Sequence, residues 1–296
     1  MILYVIATWW CTTGAIFLLG RLQPRTFRWS LLGATATLFA AVWGLAWSAD
    51  NTTVAGACVA FGSAVLIWAW LETTFLLGAI TGPRRRACEP GCHGLRHFGH
   101  AVQTILYHEL ATLVAVLLVC ALTWSAANPY GLWTFLVLWS MRVSAKLNLH
   151  FGVPNVGVEM LPPHLQYLAG YFRQRRLNPL FPVSVVVGAA LSGWLVYAAW
   201  QARGTPFEST GLTLVATLAT LGLIEHLMMA FSLPADSLWS WIRRLAPEGT
   251  DLGVPGGQRV IELDHGQPEL RLGNPVAKQL EPVAARSSAP TRAQRL

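Results

Sequence analysis

The chain has 296 residues, of which 54% are hydrophobic and only 12% are charged, and its formal net charge is +7. An ordinary soluble domain has about 25% charged residues, so this composition excludes a soluble globular protein. The positive charge does not indicate nucleic-acid binding, because the arginines cluster in short loops between apolar segments, as is typical of membrane proteins.

A helix needs about 20 apolar residues to cross a bilayer, and we identify seven such segments. They predict an all-α, polytopic membrane helix bundle in residues 1–245, with about seven transmembrane helices. The fifth segment is the weakest, because Arg142 and Lys146 lie in it. In chain order the predicted spans are Ile2–Gly20, Trp29–Ser48, Thr53–Gly82, Val102–Ala126, Gly131–His150, Pro182–Gln201 and Gly211–Leu233.

The loops between these spans indicate the orientation of the chain. Arginines follow the first, third, fifth and seventh spans, whereas the intervening loops carry no basic excess. The positive-inside rule then places the N-terminus outside and the C-terminus in the cytoplasm. The N-terminal segment has neither the basic region nor the cleavage site of a signal peptide, so we interpret it as the first span.

Two segments are predicted to lie outside the bilayer core. In the stretch from 163 to 176, Leu165, Leu168 and Phe172 share one side, and Arg173 and Arg176 lie near its end. This pattern predicts a short amphipathic helix in the membrane interface. Residues 246–296 are rich in Pro, Gly, Ala, Ser, Gln and Arg without periodicity, which predicts a disordered cytoplasmic tail.

Ionisable residues inside the predicted spans are the main functional signal, because charges are costly in a bilayer and usually mark function. At a rise of 1.5 Å per helical residue, all of these ionisable residues lie within about 10–15 Å of the predicted cytoplasmic face of the membrane. Four spans contribute, so we predict one intramembrane polar site. Its members are Glu72, His108, Glu109, Glu225 and His226, with Lys146, Asn148 and His150 at the end of the fifth span.

This polar site has three interpretations. It can be a buried network, in which Glu72 pairs with Arg142 or Lys146, Asn148 takes part, and the histidines fix helix register. It can ligate a pigment or quinone, since a histidine in a span suits an axial position on a chlorin magnesium or haem iron. It can hold a metal pair, for which the candidate ligands are Glu72, His108, Glu109, His150, Glu225 and His226.

The spacing of these residues gives weak support to the metal pair. Di-iron sites in helix bundles use a Glu-x-x-His spacing, which is absent here. In both acid–histidine pairs the two residues are adjacent, so they point about 100° apart and cannot easily face one centre.

Cysteines and tryptophans are assigned structural roles. The loop CEPGCHGLRHFGH carries Cys88, Cys92, His97 and His100, but the spacing between the two pairs is too short for a standard zinc finger. We therefore favour a solvated basic loop here, with a zinc site as the lower-ranked alternative. Five tryptophans are interpreted as interfacial anchors. They are Trp9, Trp10, Trp29, Trp43 and Trp47.

The stretch NLHFGVPNVGVEMLPPHLQYLAGYFRQRRLNPLFPVS resembles the PuhE family of photosynthetic complex assembly proteins, as do WLETTFLLGAITGPRR, LYHELATL and LIEHLMM. The resemblance covers roughly residues 1–245. It implies a multi-pass protein of the bacterial inner membrane (cytoplasmic or intracytoplasmic) in phototrophic purple bacteria. It also implies a role in assembling reaction-centre or light-harvesting complexes, connected to bacteriochlorophyll supply, and it implies no established enzyme activity.

Two functions are therefore expected. The first is an assembly factor that holds bacteriochlorophyll or its precursor at the cytoplasmic leaflet, with reaction-centre or light-harvesting subunits or pigment-synthesis enzymes as partners in the lipid bilayer. The alternative is a metal-dependent, di-iron-like membrane oxidoreductase. It would use iron held by the Glu/His cluster to act on a pigment or quinone precursor.

Overall fold

A computed structural model of the chain describes residues 1–89 and 91–231. The regular secondary structure of this part is helical, with one isolated β-bridge. The predicted disordered tail, residues 246–296, lies outside the described residues. The seven long helices are α1 (Ile2–Arg21), α2 (Phe27–Ser48), α3 (Val54–Leu76), α4 (Gly94–Thr123), α5 (Tyr130–Phe151), α6 (Leu180–Gln201) and α7 (Pro206–Ala230). Short 3-10 helices cover Pro24–Thr26, Val158–Met160, Pro163–Tyr171 and Ala202–Gly204.

Six of the seven long helices in the described residues are long and apolar enough to cross a membrane. The exception is α5, which has 22 residues but contains Arg142 and Lys146. The structure therefore agrees with the predicted polytopic helix bundle, and α5 is the one predicted span whose helix is too polar to meet the length and composition criterion. Because α5 packs against α3, α4, α6 and α7, its cations can meet acidic side chains of its neighbours, and the helix need not be apolar.

The central helix of the bundle is α3, which packs against α1, α2, α4, α5 and α7. Buried alanines at Ala57, Ala60 and Ala64 let neighbouring backbones approach closely. Phe61 and Leu71 of the same helix are also buried and fill the space between neighbours. The C-terminal end of α3 therefore carries Glu72 into the interior of the bundle.

The end of α3 differs from the prediction. The helix stops at Leu76, whereas the apolar pattern continues to Gly82. Gly78 adopts a φ of +74°, a left-handed conformation that glycine takes without steric cost. The carbonyl of Thr74 accepts hydrogen bonds from the N–H groups of Ala79 and Ile80, which closes the helix end. Apolarity alone does not reveal this turn.

The start of α4 also differs from the prediction. The helix begins at Gly94, before the predicted start at Val102. Its 30 residues make it about 45 Å long, which exceeds the roughly 30 Å of a hydrocarbon core. Its first turns, with the polar Arg96, His97 and His100, therefore extend beyond the apolar span, and hydropathy marks the membrane boundary rather than the helix boundary.

The predicted amphipathic segment is a 3-10 helix that ends at Tyr171 rather than near Arg176. Leu165 and Leu168 are buried against Phe75 at the end of α3. Beyond the helix the chain is extended, because it pairs with the segment at Val153 in a parallel bridge. The apolar side of this segment thus packs on protein, and its location at the membrane interface stays a prediction.

Gly211 of α7 lies against the ring of Tyr130, at the start of α5. A β-carbon at position 211 would lie 2.1 Å from that ring, and Tyr130 is only 3% exposed. We expect Gly211→Ala to lower the free energy of unfolding by about 1–3 kcal/mol, the usual cost of overpacking a core. Unfolding of the detergent-solubilised variant measures this loss.

Gly193 of α6 supplies the matched control. No atom lies within 4 Å of a β-carbon built at this position. Gly193→Ala should leave stability unchanged or slightly higher, because alanine favours helix. Equal losses of unfolding free energy in the two variants would show that close packing at Gly211 does not cause the destabilisation of Gly211→Ala.

Candidate functional site

Glu72 of α3 forms an ion pair with Arg142 of α5. The Nη2 atom of Arg142 donates to Oε2 of Glu72 at 2.9 Å. The side chain of Glu72 is only 9% exposed, whereas that of Arg142 is 43% exposed. A buried carboxylate is thus neutralised by a guanidinium that reaches the surface of the bundle. Of the two partners predicted for Glu72, the structure has Arg142.

A second ion pair joins α5 to α4. The Nζ atom of Lys146 donates to Oε1 of Glu109 at 2.5 Å, and both side chains are largely buried. Lys146 lies one helical turn after Arg142, so α5 presents two cations to acids on two different neighbours. Residues predicted to form one site are therefore divided between two pairs.

Glu225 of α7 is bound from the first helix. The indole Nε1 of Trp9 donates to Oε1 of Glu225 at 2.9 Å. Trp9 was predicted to be an interfacial anchor, and nothing in the sequence distinguishes it from the other tryptophans as a partner for an acid. Glu225 is an exposed residue, so this hydrogen bond lies at the surface of the bundle.

His226 is held through both ring nitrogens. Its Nδ1 lies 2.8 Å from the Gly222 carbonyl, and its Nε2 lies 2.9 Å from Oγ of Ser144 in α5. A carbonyl can only accept a hydrogen bond, so Nδ1 carries a proton and donates it to Gly222, while Nε2 is hydrogen-bonded to the Ser144 hydroxyl. His226 therefore joins α7 to α5, as the network interpretation expects of a histidine.

His108 and His150 contact aromatic rings instead of the ion pairs. The His108 ring lies 4.7 Å from that of Phe75, between centroids, and the residue is 1% exposed. His150 stacks on His97 at 5.4 Å and meets Phe98 edge-on. In both His108 and His150 the buried Nδ1 has no hydrogen-bond partner, and the same is true of Oε1 of Glu72.

The six predicted metal ligands do not converge. In residues 1–89 and 91–231, a single group of three or more His, Cys, Asp or Glu side chains has its ligand atoms within 4.8 Å of one another, and it contains none of the six. A di-iron site needs several carboxylates and imidazoles around one centre. The arrangement of these donors therefore does not fit an iron pair.

A cavity of about 180 Å³ lies among α1, α3, α5 and α7. Aromatic rings form part of its wall, and Glu72, Arg142 and Glu225 supply its charged groups. Because Arg142 and Glu225 are exposed as well as lining it, the cavity opens to the surface of the bundle beside them. The aromatic residues in the lining are Trp9, Phe17, Phe61 and Trp68.

Asn148, the remaining predicted member of the polar site, joins α5 to α6. Its Nδ2 donates to Oγ of Ser184, and its Oδ1 accepts from Nδ2 of Asn178 at 3.1 Å. Asn178 also donates to the carbonyl of Gly152, while its own Oδ1 accepts from the first N–H groups of α6. Asn148 and Asn178 are both buried, so this contact is structural and lies apart from the cavity residues.

The loop before α4 contains a cluster that the solvated-loop interpretation does not predict. The Nδ1 atom of His100 lies 3.2 Å from Sγ of Cys88 and 3.4 Å from Sγ of Cys92. All three residues are half-buried, although most of the described loop residues around them are exposed, as expected of the predicted solvated loop. Burial raises the pKa of the Cys88 thiol. Spacing along the chain does not show that the start of α4 brings His100 beside both sulfurs.

Tyr171 holds this loop against the rest of the protein. Burial raises the pKa of its phenol, so the hydroxyl stays protonated near neutral pH. The hydroxyl accepts from Nε of Arg84 at 2.8 Å and donates to the carbonyl of Arg86 at 2.9 Å. The 3-10 helix that ends at Tyr171 therefore positions the residues leading into Cys88.

The six helices that are long and apolar enough to cross a membrane define a multi-pass membrane protein with a helix-bundle fold. The chain belongs to the family described as "Protein of unknown function (DUF3623)", which matches residues 1–249. No solved structure is significantly similar to it.

A relative in Rhodobacter capsulatus has the name "Uncharacterized 30.4 kDa protein in puhA 5'region". It is 39% identical over 251 residues, a match that covers 81% of this chain and 89% of the relative. The match therefore extends over most of both proteins.

Proposed function

We propose that the protein is an assembly factor of the photosynthetic apparatus, located in the bacterial inner membrane. It holds bacteriochlorophyll or a precursor at the cavity among α1, α3, α5 and α7 and passes it to reaction-centre or light-harvesting subunits. The observation that carries the photosynthetic role is the relative in the puhA region. The resemblance to the PuhE family agrees with this role.

The size of the cavity limits how such a pigment can bind. Sites that enclose a drug-sized ligand usually have about 300–1,000 Å³, and this cavity has about 180 Å³. It can therefore admit an apolar tail or one edge of a large pigment, while the rest stays outside the bundle. An opening beside Arg142 and Glu225 suits this partial embedding.

The charged groups of the cavity offer hydrogen bonds rather than axial ligation. No histidine is among the described residues that line it. Arg142 can donate to carbonyl or carboxylate groups at the edge of a pigment, because part of its guanidinium is exposed beyond its bond to Glu72. Glu225 can accept from a hydroxyl group or bound water. The magnesium ion of a bound pigment would then be ligated by a group outside this cavity.

The oxidoreductase alternative receives less support from the geometry. It requires carboxylates and histidines that share a centre, whereas Glu72, Glu109 and Glu225 each contact a different partner. These bonds would have to break before the acids could bind a metal together.

A deletion strain of a phototrophic host, complemented with variants, tests the proposal. We expect deletion to lower the absorption of reaction-centre and light-harvesting complexes in isolated membranes, with no single pigment precursor accumulating. Glu225→Gln should restore less than half of this absorption, because the neutral amide changes the charge at the cavity opening. Accumulation of one defined precursor would instead support an oxidoreductase.

Glu208→Gln is the matched control. Glu208 lies in the first turn of the same helix, and its side chain is outside the cavity lining. This variant should restore complex absorption fully. Immunoblots must show equal amounts of both variants in the membrane, so that a difference reports on the cavity and not on expression. Equal restoration by both variants would contradict a role for Glu225.

A further inference from the structure

We propose that Cys88, Cys92 and His100 bind one zinc ion through two thiolates and an imidazole. This site is separate from the cavity described above and does not depend on the photosynthetic role. Its ligands come from both sides of a junction: Cys88 and Cys92 lie in the loop before α4, and His100 lies in the second turn of that helix.

The distances among the three side chains already match a zinc site. Zn–S bonds of about 2.3 Å and Zn–N bonds of about 2.0–2.1 Å at a tetrahedral angle place sulfur about 3.6 Å from nitrogen. His100 Nδ1 lies 3.2 Å and 3.4 Å from the two sulfurs. All three ligand atoms lie within 4.8 Å of one another. A small adjustment would therefore bring every ligand to its bonding distance.

The chemistry of the ligands selects the metal. Two thiolates and one imidazole favour a soft or borderline ion, and a set of two Cys and one His occurs in zinc enzymes with water in the fourth position. The two thiolates neutralise the ion, so the site adds no net charge to a loop that contains Arg84, Arg85 and Arg86. Magnesium and calcium, which prefer oxygen ligands, are disfavoured.

The surroundings hold the ligands in place without the metal. Arg84 binds Tyr171 and the carbonyl of Ala87, which fixes the chain directly before Cys88. His100 belongs to a long, regular helix. Zinc would therefore close the loop onto α4 and hold it against the 3-10 helix that ends at Tyr171. Its fourth position stays open to water or to an incoming ligand.

Metal analysis of the full-length protein tests this proposal. The protein is purified in detergent with a thiol reductant, stripped with a chelator, incubated with ZnCl₂ and desalted. We expect one zinc per chain in the unaltered protein and a loss of at least tenfold in Cys88→Ser and Cys92→Ser. Cys120→Ser, which changes a cysteine farther along α4, should keep the full zinc content.

A second measurement covers the case in which the serine variants fail to fold. Cobalt(II) replaces zinc in the unaltered protein, and thiolate ligation should then produce an intense sulfur-to-metal charge-transfer band that zinc displaces. Zinc content that is equal in all variants, or a cobalt spectrum without this band, would overturn the proposal. So would a Cys88–Cys92 disulfide found by mass spectrometry in place of metal in freshly isolated protein.

Discussion

Replacing Arg142 by glutamine is expected to destabilise the bundle by about 3 kcal/mol. The change removes the partner of Glu72, whose side chain is 9% exposed and whose Oε1 already has no hydrogen bond. Breaking a buried ion pair from one side costs about 3–5 kcal/mol, because it leaves an uncompensated charge. We expect the lower end, since Arg142 is partly exposed. Unfolding of the solubilised protein with a denaturing detergent measures the loss.

The double variant Glu72→Gln/Arg142→Gln separates the lost pair from other effects. With both charges removed, no unpaired carboxylate remains at position 72, so most of the lost stability should return. Arg85→Gln changes an exposed arginine in a loop and should have no effect on stability. If the double variant is as unstable as Arg142→Gln, or if Arg142→Gln is fully stable, the ion pair does not stabilise the bundle by compensating the charge of Glu72.

Replacing Asn178 by alanine is the second change with a large expected effect. Its amide donates to Asn148 and Gly152 and accepts from the N–H groups of Leu180 and Phe181. The residue is 5% exposed, so alanine would leave several of these groups buried without partners. Each such group costs about 1–3 kcal/mol, and we expect a total loss of about 3 kcal/mol or more. The same unfolding assay applies.

Gln174→Ala provides the comparison for Asn178→Ala. Gln174 lies in the same loop and donates one exposed side-chain hydrogen bond, to the carbonyl of Pro154. Its removal should cost less than about 0.5 kcal/mol, because water can replace an exposed partner. Similar losses in the two variants would mean that the loop, rather than burial of the Asn178 amide, determines the result.

Most of the fold could be predicted from the apolar segments of the sequence. The errors in that prediction have physical causes. Hydropathy located all seven helices, since crossing a bilayer requires long apolar stretches. It missed the end of α3, because a turn at Gly78 can be as apolar as a helix. It also missed the start of α4, where the helix extends beyond its apolar part, as the polar His97 and His100 show.

The polar site was predictable by residue type but not by contact. Counting residues along the spans predicted that Glu72, Glu109 and Lys146 lie at a similar depth, yet depth does not specify which acid meets which base. The rotation of each helix about its own axis determines which side chains meet. In this bundle it produces two separate ion pairs. The partnership of Trp9 with Glu225 joins helices from opposite ends of the chain and has no local signal.

The pigment content of the purified protein tests the central claim most directly. Full-length protein is isolated from phototrophically grown cells in mild detergent, and absorption and metal content are measured on the same sample. We predict a bound chlorin in the unaltered protein and in Glu208→Gln, at least threefold less in Glu225→Gln, and no iron in proportion to the chain. A colourless protein, or stoichiometric iron that is lost in Glu72→Gln and Glu225→Gln, would contradict the account.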